Sequence, residues 1–148
     1  MVRLVVQALV LLVVSAGLAL AANVLRTDRL ALHTDPTRYR YGDVRFMTVE
    51  DAARIHEEDP TALFLDVRDP GEYERRRIFG AVSFPADALE PAYAELRDFL
   101  VADTKLIVYS EDLLFSVRSV RFLAERGYDA VVLDGGWDAW RESHLPVE

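Results

Sequence analysis

The chain has 148 residues, a length that suits one domain, and it contains no cysteine. Residues from 41 onward carry 12 Lys and Arg against 23 Asp and Glu. So acidic a region is expected to bind no nucleic acid and to stay away from anionic membrane surfaces. Without cysteine the chain cannot form disulfides or thiolate metal sites, and the spacing of its histidines indicates no metal site either. No cofactor is expected.

The first predicted element is an apolar run at residues 4–22. Its 19 residues include six Leu and five Val, and Gln7 and Ser15 are its only polar side chains. As a helix it would be about 28 Å long, close to the thickness of the hydrocarbon core of a bilayer. We therefore predict a single transmembrane helix within residues 1–23, a juxtamembrane linker at 24–45 and a globular domain at 46–148. The alternative is a signal peptide that is cleaved near residue 21.

The charges that flank this run leave its orientation open. Arg3 precedes it, and four arginines follow it in the linker, which favours a cytoplasmic domain by the positive-inside rule. A short N-terminus before a signal-like apolar run favours the opposite orientation. In either case we expect a single-pass protein of a bacterial inner membrane, whose partners are the membrane and another membrane-associated protein.

Short apolar runs alternate with segments of helical periodicity along the rest of the chain. The predicted strands are residues 46–47, 62–66, 78–84, 105–109 and 130–133. The predicted helices are residues 49–58, 70–73, 91–100, 116–126 and 137–142. Thr48 and Asp69 are the predicted N-caps of the first two. This alternation predicts an α/β fold, in which a parallel sheet carries helices on both faces.

Ser110 occupies the most informative position in the chain, between the predicted strand at 105–109 and the next helix. The amides and the dipole at a helix N-terminus stabilise an anion and lower the pKa of a thiol, so such a loop is a common place for a nucleophile. A serine hydroxyl needs a base instead. The three histidines, His33, His56 and His144, have no spacing that indicates contact with Ser110.

Four segments in the right order resemble the rhodanese homology domain, over about residues 46–148. Residues 65–73 are similar to the family's D-V-R-x-x-x-E-Y segment, and residues 78–85 to its H-I-P-G-A-x-x-x-P segment. Residues 133–147 are similar to its closing L-x-G-G-x-x-A-W…P-V pattern. Residues 110–116 keep the length of its active-site loop, C-x-x-G-x-R-S. The resemblance implies a rhodanese-like domain with a parallel sheet flanked by helices, preceded here by the single transmembrane helix.

The active-site loop departs most from the family pattern. The resemblance implies that active members carry a sulfane sulfur as a persulfide on the Cys, cradled by loop amides. Here Ser110 replaces the Cys, Leu113 the Gly and Phe115 the Arg, and only Ser116 matches. A serine forms no persulfide, the leucine adds a side chain where the backbone must approach the anion, and the guanidinium that would pair with thiosulfate or phosphate is lost.

The leading hypothesis is a membrane-anchored, catalytically inactive rhodanese-like domain that binds a protein. The candidate interaction loop consists of Ser110, Glu111, Asp112, Leu113, Leu114, Phe115 and Ser116. The three large apolar side chains at its tip are expected either to contact a partner or to fold inward and fill the vacated pocket.

Asp66 and Arg68 are expected to form a structural ion pair or to anchor a loop near this pocket, and not to act as a catalytic pair. Two alternatives to the binding hypothesis stay open. One is an enzyme with altered chemistry that uses Ser110 as a nucleophile. The other is a structural subunit of a membrane complex, assembled through small residues of the transmembrane helix.

Overall fold

A computed structural model of the chain describes residues 41–101 and 104–148. The predicted transmembrane helix and most of the predicted linker lie outside these residues. Within the two described ranges, no helix is both long enough and apolar enough to cross a membrane.

Five parallel strands form a single sheet in the order β1-β5-β4-β2-β3. The strands are β1 (Phe46–Met47), β2 (Leu63–Asp66), β3 (Val82–Ser83), β4 (Leu106–Tyr109) and β5 (Ala130–Leu133). β1 and β5 have the predicted bounds. β3 is much shorter than predicted, because Gly80 adopts a φ of +75° and Ala81 N donates to Ile78 O, at 3.0 Å, so that the chain turns before the strand begins.

In the described part of the chain, four helices lie between successive strands and a fifth follows β5. They are α1 (Val49–Glu58), α2 (Pro70–Arg75), α3 (Leu89–Leu96), α4 (Leu113–Ala124) and α5 (Gly136–Glu142). Thr48 caps α1 by accepting from Asp51 N at 3.2 Å, and Asp69 caps α2 by accepting from Gly71 N at 2.8 Å, as the sequence predicts. The predicted start of α4 was wrong. This helix begins three residues before Ser116, because Asp112 caps it.

The core has one cluster on each face of the sheet, and alternate side chains of β4 belong to the two clusters. Leu106 and Val108 point into one cluster, and Ile107 and Tyr109 point into the other. α4 packs on the first face through residues that include Val117, Val120 and Leu123, and α5 packs on the second through Trp137 and Trp140. The sheet therefore carries helices on both faces, as predicted.

The folded part extends into residues that the sequence analysis assigned to the linker. Val44 is buried in the first core cluster, and Tyr41 packs against that cluster. Arg45 O accepts from Val132 N at 2.9 Å, which ties the segment to β5.

Candidate functional site

Ser110 lies at the carboxyl end of β4, in a three-residue connection to α4, and only 5% of it is exposed. Its Oγ accepts a hydrogen bond from Asp112 N at 3.1 Å. Its carbonyl oxygen accepts from Trp137 N, also at 3.1 Å. The hydroxyl therefore shapes the connection to α4, and the carbonyl ties this connection to α5.

Three of the first four amides of α4 are bonded to Asp112. Asp112 Oδ1 accepts from Leu114 N at 2.8 Å. Asp112 O accepts from Phe115 N at 3.1 Å and from Ser116 N at 3.4 Å. An anion at this helix N-terminus would need amides such as those of Leu114 and Phe115, which are bonded to Asp112 here.

The three apolar side chains at the start of α4 differ in how far they are buried. Leu113 is partly buried and packs against the first core cluster. Leu114 is 58% exposed and Phe115 is 46% exposed. Successive side chains of a helix point about 100° apart, so a helix that begins at Leu113 turns one of the three inward and leaves the other two outside.

Asp66 and Arg68 form the expected ion pair, and it is buried. Arg68 Nε lies 2.9 Å from Asp66 Oδ1, and Arg68 Nη2 lies 2.6 Å from Asp66 Oδ2. Nη2 also donates to Arg76 O at 2.7 Å, and the guanidinium carbon lies 4.3 Å from the centre of the Trp137 ring. Arg68 Nη1 faces the loop, 3.6 Å from Glu111 Oε1. The pair therefore anchors the loops at this edge of the sheet.

Tyr109 completes this buried network. Its hydroxyl donates to Asp66 Oδ2 at 2.7 Å and accepts from Ile78 N at 3.2 Å. Burial, and then the charge of Asp66, raise the pKa of Tyr109 well above its ordinary value. Burial alone would lower the pKa of Arg68, but the hydrogen bonds and charge of Asp66 raise it. The network is therefore fixed in one protonation state at neutral pH, with a protonated phenol and a charged guanidinium.

Gly136 brings α5 against the loop, and the sequence analysis missed this contact. Gly136 has a φ of +54°, and a Cβ at this position would lie 1.9 Å from Ser110 O. Only glycine allows the N-terminus of α5 to approach the Ser110 carbonyl so closely. The pair of glycines before Trp137 was the signal that could have indicated it.

The described residues offer Ser110 no base. His56 Nε2 lies 2.8 Å from Phe79 O, and its ring packs edge-on against Phe64 and Trp140. His144 is exposed near the end of the chain, and His33 lies outside the described residues. Within residues 41–101 and 104–148, the hydrogen bonds of Ser110 go to backbone amides.

Comparison with known proteins identifies the class to which this fold and site belong. Residues 48–143 match the family model of the rhodanese-like domain. The chain therefore belongs to the rhodanese-like domain family, in agreement with the resemblance drawn from its motifs.

Relatives within this class differ in size and role. The chain is 32% identical over 95 residues to thiosulfate sulfurtransferase GlpE of Actinobacillus pleuropneumoniae, an alignment that covers 62% of this chain and 82% of the relative. It is 33% identical over 85 residues to centrosomal protein of 41 kDa B of Xenopus laevis, which covers 53% of this chain but only 23% of that protein. The crystal structure of the Alr3790 protein from Anabaena sp. is 25% identical, with a TM-score of 0.62 over 69% of this chain and 80% of that one.

Proposed function

We propose that this chain is a catalytically inactive rhodanese-like domain, anchored in a membrane by its N-terminal apolar segment, that acts by binding another membrane-associated protein. The observation that carries the proposal is the closed N-terminus of α4. Asp112 accepts from the amides of Leu114, Phe115 and Ser116, and Asp112 N is bonded to Ser110 Oγ. A loop in this state presents an incoming anion with an acidic surface, and most of the amides that would bind the anion are already bonded.

The chemistry at position 110 supports the same conclusion. Sulfur transfer through a persulfide needs a thiolate, and a free cysteine has a pKa near ~8.5. A serine oxygen forms no S–S bond, and Ser110 has no base within hydrogen-bond reach among the described residues. The relationship to a protein named thiosulfate sulfurtransferase therefore supports a shared fold, while the residue that would carry the sulfur is absent from this sequence.

The sequence before the domain supports the membrane part of the proposal. Residues 4–22 contain eleven Leu and Val. At about −0.3 to −0.6 kcal/mol each, these residues favour insertion of a helix into a bilayer by several kcal/mol. An anchored domain meets its partners in or near the membrane, so a membrane-associated protein is the expected binding partner.

Exposed apolar side chains beside the closed loop support the binding part. Leu114 and Phe115 are neighbours on the first turn of α4, and both are about half exposed. Adjacent large apolar side chains on an otherwise acidic surface are typical of a contact site for another protein.

Two measurements on the full chain test the proposal. The purified protein in detergent micelles is given thiosulfate and cyanide, and thiocyanate is measured against a boiled control. No turnover is expected. A rate above that of the boiled protein would overturn the assignment as an inactive domain.

The second measurement is cross-linking in native membranes. We expect a cross-linked partner whose recovery is lost when Leu114 and Phe115 are both changed to Ser, while Leu113 is kept because it packs in the core. Phe99→Ser is the matched control, since Phe99 is 74% exposed and follows α3 rather than the closed loop. Equal recovery from both folded variants would refute the binding role of this loop.

A further inference from the structure

A groove of about 650 Å³ runs along one side of α4 and includes the exposed Leu114. One wall is α4, and the other is the segment at residues 87–91, which contains the start of α3. Leu89 and Val117 are buried and Phe122 is partly buried, so the bottom of the groove is apolar. The groove therefore continues the apolar surface of the first turn of α4.

Two ion pairs neutralise charges along this groove. Arg121, which lines it, is held by Asp43 through Nε–Oδ2 and Nη2–Oδ1 contacts of 2.7 Å each. Glu90, on the opposite wall, accepts from Arg126 Nη2 at 2.6 Å. These four side chains contribute no net charge to the surface that a ligand would meet.

The remaining charges around the groove are mainly negative. Asp87 and Glu125 line it and are exposed, and Arg118 is the lining cation outside the two ion pairs. Two carboxylates against one arginine therefore leave the groove with a net negative charge.

We propose that this groove holds a cationic amphipathic segment of a partner protein. Apolar side chains of the segment lie against Leu89, Val117 and Leu114, and its Arg or Lys side chains pair with the surrounding carboxylates. This inference rests on the proposed binding function and specifies the chemistry of the partner. Burial of apolar area supplies affinity, and the carboxylates select a segment of positive charge.

The test uses the full chain in phosphatidylcholine nanodiscs and a synthetic probe peptide. The probe is a fluorescent 12-residue peptide with Leu and Arg at helical spacing, and its matched control carries Glu in place of every Arg. Empty nanodiscs provide the blank. Fluorescence anisotropy is expected to show binding of the Arg peptide and none of the Glu peptide.

Matched variants locate the binding. Leu114→Ser is expected to lower the affinity for the Arg peptide by about fivefold or more, because one apolar contact in the groove is lost. Asp87→Asn with Glu125→Gln is expected to weaken this binding by about threefold or more at low salt, because both carboxylates line the groove. Phe99→Ser and Glu142→Gln change exposed residues outside the groove and are expected to leave binding within about twofold.

Equal binding of the Arg and Glu peptides, or equal effects of Leu114→Ser and Phe99→Ser, would overturn the assignment of the groove. The groove inference and the proposed function fail separately. If Leu114→Ser binds the probe like the unchanged protein while cross-linking in membranes still depends on Leu114 and Phe115, the groove inference fails and the domain binds its partner at the first turn of α4. If the Arg peptide binds as expected while cross-linking is unchanged by the Leu114 and Phe115 substitutions, the proposed function fails.

Discussion

Ser110→Cys would give the protein a single thiol, because the sequence contains no other cysteine. The N-terminus of α4 stabilises a thiolate by about 0.3–1 kcal/mol, which lowers the pKa by about 0.2–0.7 units. Glu111 and Asp112 act in the opposite direction. For charges about 6 Å apart, Coulomb's law gives about 0.7 kcal/mol in water and about 2.8 kcal/mol at an effective dielectric constant of 20, or about 0.5–2 pKa units per carboxylate.

The two carboxylates therefore outweigh the helix, since the charges of Asp66 and Arg68 cancel within their buried pair. We expect the thiol in Ser110→Cys to titrate at or above about 8.5, the ordinary value for cysteine. Adding Asp112→Asn keeps the cap and removes one charge, so the thiol pKa should fall by about 0.5 units or more.

Alkylation by iodoacetamide as a function of pH measures both thiols in the full-length protein. Ser110→Cys alone is expected to produce no thiocyanate from thiosulfate and cyanide, because the amides that would hold the sulfur ligand remain bonded to Asp112. A thiol pKa below about 7, or a persulfide detected by intact mass after exposure to thiosulfate, would show that the loop is a working anion cradle. That result would contradict the conclusion that Asp112 prevents an anion from binding at the N-terminus of α4.

Three further predictions concern the scaffold around this loop, and all are measured by urea denaturation followed through tryptophan fluorescence. Arg68→Met should lower the free energy of unfolding by about 3–5 kcal/mol, because Asp66 stays buried without its cation. Adding Asp66→Asn should restore about 1 kcal/mol or more. A loss below about 1 kcal/mol for Arg68→Met alone would contradict a structural ion pair. Gly136→Ala should lower the free energy of unfolding by more than about 2 kcal/mol, because φ is positive there and the new Cβ would lie 1.9 Å from a carbonyl oxygen. Gly42 has open space around it, so Gly42→Ala should change the free energy of unfolding by no more than about 0.5 kcal/mol. Because the pKa of Tyr109 is raised in the folded state, the stability that its protonated hydroxyl contributes is complete below about pH 10. Above that pH the free energy of unfolding should fall by about 1.4 kcal/mol per pH unit through this group. Tyr109→Phe should remove this part of the pH dependence, and an unchanged pH dependence would contradict the buried, protonated hydroxyl.

The sheet could be predicted from the sequence because its strands are buried on both faces. β4 and β5 are short apolar runs between turn-forming residues, and neither could form an amphipathic helix. The caps of α1 and α2 were equally visible, since Thr48 and Asp69 are side chains that bond their own local backbone. Features that depend on residues close together in the sequence could thus be predicted.

The start of α4 was misjudged because Leu113, Leu114 and Phe115 read as the tip of an apolar loop. The capping role of Asp112 is a local feature, and recognising it would have placed the start of the helix at Leu113. Which of the three side chains is buried follows only from where the helix begins.

Contacts between distant parts of the chain could not be predicted in the same way. The approach of Gly136 to Ser110, and of Glu111 to Arg68, joins loops that follow different strands. A parallel sheet brings the carboxyl ends of its strands to one edge, so the neighbourhood could be expected but not the atoms in contact. The groove beside α4 likewise needs the position of residues 87–91, for which the sequence carries no signal.

The closed loop and the exposed apolar surface have one physical origin. Because Asp112 caps the helix, α4 begins at Leu113, and the amides that an anion would need become part of the first helical turn. The same turn directs Leu113 into the core and leaves Leu114 and Phe115 on the surface beside Glu111. A change that opened the helix N-terminus for an anion would therefore also move these two side chains, so sulfur chemistry and the proposed binding surface require different conformations of residues 110–116.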